Sequence, residues 1–274
     1  MRSPSARHVV HAVLAMSISL PVAAHAGGDA AAGKAKSAAC AACHVSANPA
    51  SDIPHLAGQR ATYIAKQLKA YQKGERANPF MAAIAKQLSD ADVDNVAAFW
   101  NGQATGSDTT PSPEVAAINK SHMAFPKDFP KGFTLFLTAN DAEKNEIRTS
   151  YINAVGFAAA KAGKAIPDGT VIIVVHQAAK LGADKKPVVA KDGSWVADKV
   201  AFYAGMEAEA TWGKDIPDLL RNADWNYAAF SPAKTALPSP PVPSQAECLA
   251  CHKPQSEVSF MFTLKELKDK AGAK

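Results

Sequence analysis

Two pentapeptides, Cys40-Ala41-Ala42-Cys43-His44 and Cys248-Leu249-Ala250-Cys251-His252, hold all four cysteines of the chain. Two thiols at this spacing can add across the two vinyl groups of a haem, and a histidine directly after the second thiol then lies under the iron as an axial ligand. A pair of disulfides, a redox-active dithiol and a zinc site are the rival uses of such cysteines. The histidine that follows the second cysteine, in both motifs, selects haem attachment. Cys40, Cys43, Cys248 and Cys251 are then the thioether donors, His44 and His252 the iron ligands, and the cofactor complement two covalently bound haem c.

An iron that shuttles electrons without binding small molecules needs a sixth ligand. Met81 is the one methionine between His44 and the end of the first half, thirty-seven residues after His44, on a loop marked by Asn78-Pro79. A lone methionine often fills a core. Here the thioether role is favoured, because a Met/His pair raises haem potential.

The elements that must position these groups differ between the two halves. Asp29 to Ala39 is Ala- and Lys-rich and favours a helix leading into the first motif. Ile64, Leu68 and Tyr71 recur at helical spacing within Arg60 to Lys73. Ser89-Asp90-Ala91-Asp92 has the form of a capping box, followed by the apolar face Val93, Val96, Ala97 and Trp100. The first half is therefore all-α. Residues 104–113, rich in Gly, Ser, Thr and Pro, read as a linker.

The second motif has only 22 residues after its histidine. That leaves no room for a downstream methionine loop and closing helix, so the two halves are not copies. Met261, nine residues after His252, is assigned to the core. The second pocket must come from residues before Cys248. Strands are expected at residues 132–137, at Thr170 to Val175 and at Trp225 to Phe230, with a hairpin turning at Asp192-Gly193 between Pro187 and Tyr203. At least part of Asp141 to Gly163 reads as helix, from Ile147, Tyr151 and Val155. Pro238 to Pro243 reads as a loop. The fold class is multi-domain: an all-α domain followed by an α+β, mainly antiparallel-sheet haem domain.

Arg2 and Arg7 precede the apolar stretch Val9 to Leu20, which ends in Pro21 and small residues up to Ala26. This is the form of a secretory signal peptide, too short to span a bilayer, and no later segment is long and apolar enough to cross. A periplasmic chain without membrane insertion follows. The whole sequence carries 30 basic and 25 acidic residues. The first 26 residues hold two of the basic ones and no acid, so the remainder has a net charge of +3, which argues against a nucleic-acid partner. Lys66, Lys69, Lys73 and Arg76 form a solvated face or a docking patch for a redox partner protein.

Residues 27–101 resemble a class I cytochrome c of the kind found in tandem dihaem periplasmic cytochromes. The resemblance rests on the first motif, Ile53-Pro54-His55-Leu56-Ala57-Gly58-Gln59, Tyr63-Ile64, Gln67-Leu68, Met81, Leu88-Ser89-Asp90-Ala91-Asp92 and Ala97-Ala98-Phe99-Trp100. It implies that the Pro54 carbonyl receives the ring N–H of His44 and that His55 is structural. Residues 116–264 are similar to the cytochrome P-460 and cytochrome c′-beta family. That likeness rests on Tyr151-Ile152-Asn153, Ile166 to Ile172, Trp195, Asp224-Trp225-Asn226-Tyr227, the second motif and Phe260-Met261-Phe262-Thr263.

The second resemblance implies a five-coordinate haem on His252 with an open distal side, and often a homodimer. One branch oxidises hydroxylamine, with a lysine cross-linked to the porphyrin and a distal carboxylate. The other has an apolar, Phe-bearing distal pocket and binds nitric oxide or similar ligands. Lys180, Lys185, Lys186 and Lys199 are all available for a cross-link. His176 reads as structural or distal. Phe133 and Phe136 read as core or as caps of the distal pocket. Ala228-Ala229, after Tyr227, supplies no carboxylate. The domains are residues 1–26 (signal peptide), 27–104, 105–115 (linker) and 116–274. The expected function is electron transfer at the first haem and handling of a small nitrogen species at the second. The alternatives are a plain dihaem electron carrier and a gas-binding cytochrome.

Overall fold

The computed structural model describes residues 27–44, 53–103, 118, 121–238 and 244–272. The leader, the linker and most of the loop at 238–243 lie outside the described residues.

The first domain is four helices. Helix α1 (Ala30–His44) extends from its Ala/Lys-rich start through the whole first motif. The Asp29 carboxylate accepts from the free amides of Ala31 and Ala32, 2.8 and 3.3 Å away, so the helix start is capped. Helix α2 (Ala61–Lys73) buries Ile64, Leu68 and Tyr71 on one face and ends at Gly74, whose φ of 74° suits glycine. Helix α4 (Asp90–Asn101) opens with a complete Ser89/Asp92 capping box and buries Val93, Val96, Ala97 and Trp100. Helices α1 and α4 cross closely enough that a Cβ on Gly28 or Gly33 would lie about 2.1 Å from the backbone of Asp94 or Asn95.

Met81 is not on a loop. It lies in a short helix, α3 (Pro79–Ala85), whose N-cap Asn78 accepts from the Met81 amide at 2.9 Å. Asn followed by Pro at the first helical position is a helix start as readily as a turn.

The second domain is a five-stranded antiparallel sheet in sequential order: β1 (Phe133–Asp141), β2 (Glu146–Asn153), β3 (Val171–Ala179), β4 (Ala197–Ala208) and β5 (Trp225–Phe230). A helix, α5 (Ala154–Lys161), joins β2 to β3; α6 (Gln245–His252) carries the second motif; α7 (Leu264–Ala271) closes the domain. The bridge Val189–Trp195 flanks the turn at Gly193, so the expected hairpin is present, and Leu181–Pro187 closes a separate turn just before it.

The helix expected within Asp141 to Gly163 is confined to Ala154–Lys161; Ile147 and Tyr151 lie in strand β2. The sheet is covered on both faces. Ile152, Ile172, Val174 and Met206 pack into one apolar cluster with the helices, while Tyr151, Ile173, Val175 and Tyr203 pack into a second with Phe125, Phe129 and Phe230. Fully burying a side chain such as Ile152 or Ile173 contributes roughly 1.5–3 kcal/mol. The first cluster is continuous with the core of the first domain, since α1 and α3 pack against α6 and Gln87 Nε2 donates to the Leu219 carbonyl at 3.1 Å.

Candidate haem sites

At the first site, His44 is buried at the end of α1 and its Nδ1 lies 2.6 Å from the Pro54 carbonyl. That oxygen can only accept, so Nδ1 carries the proton and Nε2 keeps a free lone pair. Burial depresses the pKa of His44 and keeps the ring neutral, the form that ligates iron. Cys40, Cys43, Leu56, Phe80 and Met81 all pack against the large cluster that holds Ile64, Leu68 and Trp100 and that runs on into the second domain; the helix of Met81 packs on α2 and on α6. Trp100 Nε1 is buried on the Cys40 side of the pocket, within reach of its sulfur. His55 is exposed.

The second site repeats the histidine device with other elements. His252 ends α6, and its Nδ1 lies 2.7 Å from the carbonyl of Phe260. Its Nε2 is thereby left free, and burial again holds its pKa down. The ring is flanked by Tyr227 at 4.7 Å and Phe262 at 4.9 Å between centroids. Asn222 is fully buried behind it; its Nδ2 donates to the Tyr227 hydroxyl at 3.1 Å and to the Leu249 carbonyl of α6 at 3.0 Å. Met261 is buried, as expected of a core residue.

Burial pushes the Cys40 thiol up to about 11 and those of Cys43 and Cys248 up to about 12, and raises that of Cys251. A redox-active Cys-x-x-Cys pair works through a thiolate of lowered pKa. These thiols are instead set in apolar surroundings that suit thioether bonds. Both motifs thus fit covalent haem: paired cysteines, a neutral imidazole with a free Nε2, and an oriented ring.

The side chains clustered with each motif differ. In the first domain they include Phe80 and Met81 of α3. In the second, Cys248 and Leu249 pack into the same cluster as the sheet face of Phe136, Leu137, Ile152, Ile172, Val174 and Met206. Phe133 packs on the opposite face, in the second cluster, so it does not cap this pocket. His176 shares the first face by register with Arg148 and Phe202. It stacks on Phe202 at 4.1 Å, and its Nδ1 is 2.9 Å from Glu146 Oε1.

Asn222, Tyr227 and the Phe260 carbonyl were not assigned a role from the sequence. A single buried Asn has no sequence signature, whereas Ser244-Gln245-Ala246-Glu247, just before Cys248, is a readable capping box. It is fully formed at the start of α6.

A helical domain and an antiparallel-sheet domain, each with a Cys-x-x-Cys-His helix, define a c-type cytochrome. A family model described as Cytochrome P460 matches residues 126–263, half of the chain, and the chain belongs to the cytochrome P460 family. Residues 28–99 match the model described as Cytochrome C oxidase, cbb3-type, subunit III. The chain is 41% identical over 92 residues to cytochrome c4 of Pseudomonas aeruginosa, which covers 33% of this chain and 46% of that protein. It is 41% identical over 81 residues to cytochrome c-554(548) of Halomonas halodenitrificans, 28% of this chain and 98% of that one. It is 40% identical over 89 residues to the thiosulfate dehydrogenase electron acceptor of Stutzerimonas stutzeri, 31% of this chain and 38% of that one. The chain spans less than half the length of two of these three relatives. Among the described residues, no helix is long and apolar enough to cross a membrane.

Proposed function

We propose that this chain is a periplasmic cytochrome with two haems of different work: Cys40, Cys43, His44 and Met81 hold an electron-transfer haem, and Cys248, Cys251 and His252 hold one with an open distal side. Haem iron, when bound, supplies one-electron exchange and, where its sixth position is free, a binding point for a small nitrogen species such as nitric oxide or hydroxylamine. The observation that supports the reading is the contrast between the side chains clustered with the two motifs: a methionine is among them in the first domain, and an apolar sheet face in the second.

The Pro54 and Phe260 carbonyls keep each imidazole neutral and oriented, and Tyr227 and Phe262 hold the His252 ring between them. The apolar side chains of the sheet exclude water from the ligand side. The names of the relatives, an electron acceptor among them, support electron transfer at the first site. The open cleft lined by Gly58, Gln59, Arg60, Thr62, Tyr63 and Lys66 carries two cations and no acid, which suits an acidic redox partner.

The test is the absorption spectrum of the dithionite-reduced protein before and after carbon monoxide, together with the intact mass for haem stoichiometry. Two haems, one of which shifts, is the expected result. A red-displaced Soret band before carbon monoxide would mark a lysine-linked, hydroxylamine-oxidising site. If neither haem responds, both irons are six-coordinate and the chain is a plain electron carrier; Met206 and His176 are then the ligand candidates on the sheet face.

A further inference from the structure

Helix α3, which carries Met81, has seven residues. A helix that short depends on what it packs against, and the last four carbonyls of any helix lack intrahelical amides. Two glutamines outside α3 supply part of what is missing. Gln72 of α2 donates from Nε2 to the carbonyls of Ala85 and Leu88, 3.0 and 2.9 Å away. Gln87, just past the helix, donates from Nε2 to the Ala83 carbonyl at 3.0 Å and to the Leu219 carbonyl of the second domain at 3.1 Å. A carboxamide nitrogen has two hydrogens, so each glutamine can bridge two carbonyls. The bridge made by Gln87 joins the Met81 helix to the other domain.

The Leu219 carbonyl is itself held in place. It belongs to a turn at residues 217–221, closed by the amides of Leu220 and Arg221 on the Pro217 carbonyl at 2.8 and 2.9 Å. Leu219 and Leu220 are buried in the same cluster as Ile84 and Ala85 of α3. Lys253, the residue after His252, reaches this turn from the end of α6. Its Nζ donates to the carbonyls of Asp218 and Arg221 at 2.7 and 2.6 Å, one on either side of Leu219. Hydrogen bonds from an ammonium are among the stronger ones. A continuous strut thus runs from the residue beside His252, through the turn and Gln87, to the end of α3.

From this geometry we infer that Lys253 and Gln87 are positioning residues for Met81: the second domain fixes the turn, and the turn fixes the helix that bears the first site's methionine. This rests on the reading of Met81 as an iron ligand. Helix α3 also packs directly on α6, so the second domain is part of the support of the first site.

The test is a double-mutant cycle on the full-length haem-loaded protein, Gln87→Ala against Lys253→Met, with Lys253→Arg as the variant that keeps donors for both carbonyls. The readouts are amide hydrogen exchange over residues 79–88, the methionine-to-iron charge-transfer band of the ferric protein and the midpoint potential of the first haem. Gln87→Ala should speed exchange in α3 roughly three- to tenfold, the effect of a lost hydrogen bond. Lys253→Met should do the same from the other domain, Lys253→Arg should restore the parent's rate, and the double variant should go no further than the stronger single one. The band weakens and the potential falls in the same order, since a methionine ligand raises haem potential.

Exchange in α3 and a band that Lys253→Met leaves unmoved, or two effects that simply add, overturn the strut. Gln87 is exposed, so Gln87→Ala decides the matter even if Lys253→Met does not fold. By reciprocity it must also speed exchange at the amides of Leu220 and Arg221 across the seam, and unchanged protection there overturns the proposal. If the parent protein shows no methionine band, the reading of Met81 as a ligand fails on its own. The exchange rates on the two sides of the seam then still decide whether Lys253 and Gln87 hold α3.

Discussion

The two sites of this chain hold their histidines by the same device and build everything else differently. His44 gives its Nδ1 proton to Pro54, ten residues on, and His252 gives its own to Phe260, eight residues on. One carbonyl belongs to an irregular segment between helices, the other to the turn after a 3-10 stretch. In the first domain the motif opens the fold and later helices close over it. In the second, a completed sheet precedes the motif and the helix docks onto it. The coordination chemistry is therefore local and portable, while the chemistry on the far side of the iron is a property of the fold.

The sharpest way to break this comparison is to remove one motif. His252→Ala with Cys248→Ser and Cys251→Ser should leave a chain with one haem by mass, whose reduced spectrum no longer responds to carbon monoxide. A remaining haem that still binds the gas would show that the first site is the open one.

Met81→Ala should convert the first site into a likeness of the second. It should gain carbon monoxide binding, and its potential should fall by roughly a few tenths of a volt, within the ~0.8 V range that axial ligands span. Redox titration of the purified variant reads this directly, and an unchanged potential would remove Met81 from the iron.

Asn222 has no counterpart among the described residues of the first domain. Asn222→Ala would strip a buried donor from both the Leu249 carbonyl and the Tyr227 hydroxyl, at a cost of about 2–3 kcal/mol. It should also broaden the spectrum of the second haem alone, as the His252 ring loses its backing. Urea unfolding followed separately at the two haems checks both effects.

The smallest effect expected is a pH dependence confined to the sheet. Burial holds the pKa of His176 below its ordinary 6.5, against the opposing pull of Glu146. Below 6.5 the unfolded chain takes up a proton that the folded chain refuses until lower pH. Stability is thus complete above 6.5 and declines as pH falls toward the folded-state value, by at most about 1.4 kcal/mol per unit. His176→Gln should flatten that decline in unfolding curves recorded between roughly pH 7.5 and pH 5; a slope identical to the parent's would acquit His176.

The sequence disclosed the two Cys-x-x-Cys-His motifs outright, and three of the four helices of the first domain because one-sided burial leaves a period that can be counted; the short helix of Met81 has none. Ile64, Leu68 and Tyr71 face inward while Lys66, Lys69 and Lys73 face out. Strand β5 was legible to the residue, being short, apolar and aromatic. Strand β2 was not. Ile147 and Tyr151 share the helical spacing of four, and because both sheet faces are covered, no polar alternation survives to contradict it. The support for His252 was hidden for another reason: Asn222, Tyr227 and Phe260 meet only after the chain has folded. The Ser244/Glu247 pattern at the start of α6 was there to be read.

Gly28 and Gly33 press directly on the backbone at Asp94 and Asn95. The first helix is thereby clamped to the middle of the last one, with hydrogen as the only side chain that fits between them. Because the apolar cluster runs on from these helices into the second domain, a methyl group at either glycine would be felt as far as α6.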